Sequence, residues 1–214
     1  MRKYDGVIFD IDGTLTSTNE LIFSTFNHIT KKYLNKAMTN EEIISLFGPT
    51  EDKILEDWFG EKAEEVKKEY YAFYKNNHAM ADIYPGMKEL LHFIKEKNVL
   101  LSIYTGKGRE ASIITLEKLG ILGFFDLVIT GTDVKEHKPS PEGIEIFVEK
   151  YSLEKERVLM VGDAPADIKA ARAAGVQVAS VVWDSYAHDK VLKMKSDYLF
   201  HTVEELKKFF EEVL

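Results

Sequence analysis

The chain contains no cysteine. Disulfide frameworks, zinc–thiolate centres and thiol nucleophiles are therefore excluded, and a reducing compartment is the natural setting. No apolar run approaches the ~18 residues that a membrane-crossing helix needs. The opening MRKYDGVIFD has two basic residues and then only a four-residue apolar run, too short for a signal peptide. A soluble, cytoplasmic protein is expected. Positive charge is in deficit: 28 Lys and Arg against 36 Asp and Glu leave a formal net charge of −8. Nucleic acids and membrane surfaces are polyanions, so neither is an expected partner. A small anion held by a local cation remains compatible. The six histidines (28, 78, 92, 137, 188, 201) have no paired metal spacing. They are expected on the surface, His137 beside Lys138 excepted. There is no internal repeat and no low-complexity tract.

What is present is ordinary in bulk and specific in pattern. With 214 residues, 45% apolar and 30% charged, the length favours one domain, with room for an insertion. Short apolar runs at 6–9, 99–104, 126–130, 157–161, 176–183 and 198–200 read as strands. The first four lack strict alternation and are rich in Val, Ile and Leu, as strands buried on both faces are. Helical spacing over 86–97, 109–119, 141–151 and 164–175 lies between them, the last closing on Gly175 as a C-cap. Strand–helix alternation predicts an α/β fold, a doubly wound and mostly parallel sheet.

Residues 18–80 break that rhythm. They hold no clear strand, but two capping-box patterns, Ser17 with Glu20 and Thr39 with Glu42, and helical segments at 50–59 and 61–77. An all-helical insertion over 17–81 is expected, with 1–16 and 82–214 as the core. Its hinges fall near Gly13–Ser17 and Met80–Pro85. The aromatic run YYAFY (70–74) reads as packing within the insertion, and Trp183 as core.

Ligands of open α/β sheets bind beyond the carboxyl ends of the strands. Here the first strand runs into Asp10 and Asp12, the second into Thr105, Gly106 and Lys107. The third leads to Lys138 before a proline, and the fourth to Asp163 with Asp167 four residues on. Each signal alone has a plain reading: a helix cap, a turn, a surface lysine. Four in order, each after a strand, point to one site.

On these residues the chain resembles the haloacid-dehalogenase-like superfamily, in the branch of the phosphoglycolate phosphatases. FDIDGTL (9–15) matches the first motif, TGK (105–107) the second, Lys138 in HKPSPE the third, and GDAPAD (162–167) the fourth. The helical insertion sits where that family carries its cap. The resemblance implies a Mg²⁺-dependent phosphatase acting on small phosphorylated metabolites, as a monomer or homodimer. Asp10 would be the nucleophile, and Asp12 the acid and then the base. Asp10, Asp163 and the backbone carbonyl of Asp12 would ligate the ion. Asp167 would sit outside that set, orienting Lys138 or a water on the ion. Thr105, Gly106 and Lys138 would hold the phosphoryl oxygens, and Gly13 would permit a sharp turn. Aspartate at position 12 is implied to favour phosphate monoesters, because dehalogenase and phosphonatase relatives carry another residue there.

Two departures stand out. Ala164 replaces a frequent hydroxyl, and Thr16 and Ser17 stand where the family often has an acid. In the insertion, Thr50 and Lys53 are the residues expected to influence substrate choice, although Thr50 also fits a simple N-cap. TGKGR (105–109) lacks the upstream glycine of a nucleotide-binding phosphate loop, so Lys107 takes no role from that motif. Phosphoglycolate, a sugar phosphate, a nucleoside monophosphate and pyrophosphate all stay open as substrates. A β-phosphoglucomutase-type mutase and a non-catalytic partner-binding module are the competing functions.

Overall fold

The computed structural model describes residues 2–214; Met1, the first residue of the expected core range, lies outside them. The sheet grows from β1 (Gly6–Phe9), whose four residues are all buried. On one side β1 pairs with β4 (Leu100–Tyr104), which pairs with β5 (Leu127–Ile129). On the other side lie β6 (Val158–Gly162), β7 (Gln177–Val181) and β8 (Tyr198–Phe200). All pairings are parallel, in the order β5-β4-β1-β6-β7-β8. The order departs from β1 in both directions, so the crevice beyond its carboxyl end is the switch point where such folds bind ligands.

Alternation along β1 divides the core. Val7 and Phe9 join one buried cluster, whereas Ile8 joins the other, because successive strand residues face opposite sides of the sheet. The first cluster is closed by α5 (Met87–Glu96) and α10 (Val203–Val213), through Leu90, Leu91, Leu206 and Phe210. The second is closed by α7 (Glu142–Tyr151) and α8 (Pro165–Ala174), through Ile144, Phe147, Ile168 and Ala171. Each such leucine, isoleucine or phenylalanine contributes roughly 1.5–3 kcal/mol by leaving water. Gly175, in the left-handed region at φ 77°, ends α8 as expected.

The helical insertion is present as α1 (Asn19–Leu34), α2 (Asn40–Ile44), α3 (Glu51–Phe59) and α4 (Ala63–Asn76). Two two-residue strands, β2 (Thr16–Ser17) and β3 (Asp82–Ile83), pair antiparallel at its base. Its own buried cluster contains Leu21, Phe26, Ile29, Leu55, Val66 and the three tyrosines 70, 71 and 74. Ala111 and Ile114 of α6 (Arg109–Lys118) complete that cluster, and the Tyr74 hydroxyl meets Thr115 Oγ1 at 2.8 Å. The insertion is thus packed onto the α/β core.

Several local expectations need correction. The Thr39–Glu42 capping box forms, but the Ser17–Glu20 box does not. Thr18 is the N-cap instead; its hydroxyl donates to Asp12 and accepts no amide of the helix. His78 is buried, not on the surface, with Nε2 3.3 Å from Thr115 Oγ1, because it lies in the seam between the insertion and α6. α9 (His188–Met194) and the amphipathic α10 are helices that the sequence pattern did not predict.

Candidate active site

Chain ends of four parallel strands converge above β1. Asp10 follows Phe9 directly, its amide donating to the Val161 carbonyl at 3.0 Å. Gly13 turns the chain with φ 77°, and a Cβ there would come within 2.5 Å of Asp163 Oδ2. Only glycine fits both the backbone and the space. Thr14, next in the chain, donates its hydroxyl to Asp163 Oδ1 at 3.2 Å.

Asp10, Asp163 and Asp167 form a buried trio, each offering an oxygen within 4.8 Å of the others. Lys138 enters from the loop after β5, with Nζ 2.6 Å from Asp167 Oδ1 and 3.1 Å from Asp10 Oδ1. The contact to Asp10 is close enough for an ion pair but lacks hydrogen-bond alignment. Asp167 is fully used: its second oxygen accepts the Ala164 amide at 3.0 Å. It thus contacts both the start of α8 and Lys138.

The electrostatics are unbalanced. Burial pushes the Asp10 carboxyl up to about 6, with Lys138 opposing and Asp167 and Asp12 adding to the rise. Burial, then Asp10 and Asp167, push Asp163 well above the carboxylate range. Burial would lower Lys138, but Asp10 and Asp167 hold it above the ordinary lysine value. Asp10 Oδ1 and Asp163 Oδ2 are buried without hydrogen-bond partners. Clustered, unpartnered carboxylate oxygens are the donor set that a hard divalent cation takes. The residues present fit a magnesium ion.

Asp12 points elsewhere. Its carboxylate faces Lys107 Nζ at 3.0 and 3.1 Å and takes the Thr18 hydroxyl. It is not one of the trio, so any part it has in holding an ion falls to its backbone. Lys107, given no role by the sequence, is almost completely buried. Burial would lower its pKa, but Asp12, Tyr74 and Glu51 hold it up. Glu51, the first residue of α3, accepts the Gly108 amide through Oε2 at 2.8 Å. Glu51 and Thr18 carried no motif, and Lys107 was visible only as the last letter of TGK.

A cavity of about 190 Å³ joins these groups. Asp10, Asp12, Thr105, Gly106, Lys107, Lys138 and Asp163 all line it. Thr50 and Lys53 do not, which corrects the expectation for the insertion. The Thr50 hydroxyl accepts the Lys53 amide as N-cap of α3, and the Lys53 ammonium pairs with Asp57 on the outer face. Phe47, Gly48, Pro49, Glu51 and Ile54 reach the cavity in their place. Tyr186, beyond β7, adds a ring 5.4 Å from that of Phe47.

The family model for haloacid dehalogenase-like hydrolases matches residues 7–181. The chain belongs to that family. It is 34% identical to pyrophosphatase PpaX of Halalkalibacterium halodurans over 205 residues, 94% of each chain. It is 32% identical to pyrophosphatase PpaX of Oceanobacillus iheyensis over 206 residues, again 94% of each. Among solved structures, a predicted phosphoglycolate phosphatase from Haemophilus somnus superposes with a TM-score of 0.83. That match covers 98% of this chain and 99% of the other at 24% identity, and it establishes the fold. Among the described residues, no helix is long and apolar enough to cross a membrane.

Proposed function

We propose that this family member is a magnesium-dependent phosphatase that cleaves small-molecule phosphate monoesters through an aspartyl-phosphate on Asp10. The observation that carries this reading is the division of labour between two carboxylates on one cavity. Asp10 is buried beside Lys138 with an oxygen free of hydrogen bonds, and Asp12 is held apart by Lys107 and Thr18.

Asp10 and Asp163 would hold the ion, with the Asp12 backbone. The ion supplies positive charge that lets a phosphate anion approach carboxylates. Lys138, Thr105 and the Gly106 amide hold the phosphoryl oxygens, where charge resides in phosphoryl transfer. An Asp10 oxygen attacks phosphorus as the ester P–O bond breaks, and the departing oxygen takes a proton from Asp12. Water then adds to phosphorus and gives its proton to Asp12. The Asp10–phosphorus bond breaks and inorganic phosphate leaves.

The name of the two relatives makes pyrophosphate the first alternative substrate, since the same steps would cleave its bridging bond. The test is release of inorganic phosphate from a panel of monoesters, hexose phosphates and pyrophosphate, with Mg²⁺ or EDTA. Turnover that requires the metal and is lost in Asp12→Asn by about 10²–10⁴-fold supports the reading. No release from any compound overturns it. Interconversion of hexose phosphates with little free phosphate would instead identify a mutase.

A further inference from the structure

The insertion side of the cavity has a chemistry of its own. Ile22, Phe26, Phe47, Ile54 and Tyr70 form an apolar wall opposite the strand ends. Into that wall is set one buried carboxylate. Glu51 is 7% exposed; its Oε2 is satisfied by the Gly108 amide, but its Oε1 has no partner. A buried charged oxygen left unpaired is costly, and its natural complement is a donor arriving with the ligand.

No cation answers a second anion there. Among the described residues, the cations that line the cavity are Lys107 and Lys138. Lys138 faces Asp10 and Asp167, and Lys107 is in contact with Asp12, which with Tyr74 and Glu51 holds it charged against its burial. Lys53, the lysine closest in sequence to Glu51, is turned outward onto Asp57. An anionic leaving group would therefore meet Glu51 and Asp12 across an apolar wall, where repulsion is little screened.

We propose, resting on the phosphatase reading, that Glu51 selects the leaving group: one with no negative charge, an apolar body and a hydroxyl or ammonium donor for Glu51 Oε1. Carboxylated and phosphorylated leaving groups are rejected. A role for Glu51 as a strut between α3 and the loop after β4 explains Oε2 but leaves Oε1 unaccounted for.

The two roles separate in a substrate series run on the full chain with Mg²⁺: 4-(hydroxymethyl)phenyl phosphate, 4-carboxyphenyl phosphate and pyrophosphate. Wild type is expected to favour the hydroxymethyl ester over the carboxylate by about tenfold or more in kcat/KM, as one unpaired like charge in a closed site would give. Glu51→Gln keeps the size and the Gly108 contact but removes the charge, and should shrink that ratio to about threefold. Asn19→Lys, at a half-buried position on the cavity rim, should move the ratio the same way by adding a cation, and serves if Glu51→Gln folds poorly. Preference of the wild type for 4-carboxyphenyl phosphate or pyrophosphate overturns the proposal. So does an unchanged ratio in both variants, which would leave Glu51 as a strut. Absence of turnover on all three overturns this proposal, while release of phosphate from another compound of the wider panel keeps the phosphatase reading.

Discussion

Two buried lysines flank the cavity, and their surroundings look alike. Lys138 lies over the Tyr104 ring at 5.5 Å and Lys107 over the Tyr74 ring at 5.2 Å. Each contacts a carboxylate of the Asp10–Asp12 pair. The difference is where the rest of each shell comes from. Asp10, Asp167 and Tyr104 belong to the strand ends and first helical turn of the α/β core. Lys107 is enclosed by Tyr74 and Glu51, which belong to the insertion. The sheet alone assembles the first cluster. The second is completed by the insertion, whose Tyr74 and Glu51 close over Lys107. Closure of that kind excludes water and strengthens every charge interaction inside.

The largest expected effect belongs to the cluster built by the sheet. Asp10→Asn removes the proposed nucleophile and should lower phosphate release by at least about 10⁴-fold. Stability should move the other way. A carboxyl raised to about 6 by burial weakens the fold as pH rises from the unfolded value of roughly 4 through 6. In EDTA at pH 7 the variant should therefore melt higher than wild type, and the gap should close near pH 4. A lower melting point for Asp10→Asn at pH 7 would contradict the electrostatic account of this cluster.

Next come the two lysines themselves. Lys107→Met or Lys138→Met leaves buried carboxylates uncompensated, and each should cost about 3 kcal/mol by denaturant unfolding. Hydrogen exchange tells them apart. Lys107→Met should speed exchange at the start of α3, where Glu51 is tied to the Gly108 amide, and Lys138→Met should not. Equal loosening of α3 in both would break the comparison.

The smallest effect lies at the opposite end of the sheet. Asp5, just before β1, bonds Arg157 and Arg2 at the surface. The Arg157 hydrogen bond, against partial burial and with help from Arg2, lowers its carboxyl to about 2. Stability from this group is present above the unfolded value of roughly 4 and is lost as pH falls through 2. Solvent screening reduces it, so Asp5→Asn should cost about 1 kcal/mol at pH 7, vanishing near pH 2.

These contrasts also mark what could be read in advance. Strand positions followed from runs such as GVIF and VLMV, because a strand covered on both faces must be continuously apolar. The gathering of Asp10, Thr105, Lys138 and Asp163 on one cavity followed from parallel topology, which puts every carboxyl end on the same edge. The insertion was visible as a stretch with helical spacing and no strand. Thr39 and Thr50 were legible as caps because a cap is satisfied within three residues. Thr18 was not: its hydroxyl is taken by Asp12, six residues back across a turn.

By itself, the sequence determined the alternation of elements, the parallel sheet and the acids and lysine placed beyond its strands, because these follow from spacings of two to four residues and from handed, short connections. Only the tertiary structure decided that Lys107 neutralises Asp12, that Glu51 rather than Thr50 or Lys53 reaches the cavity, and that Tyr186 closes its side. Those contacts join segments tens of residues apart in the chain. Their partners are chosen by how the helical insertion packs on α6 and the sheet edge, and no local period encodes that docking.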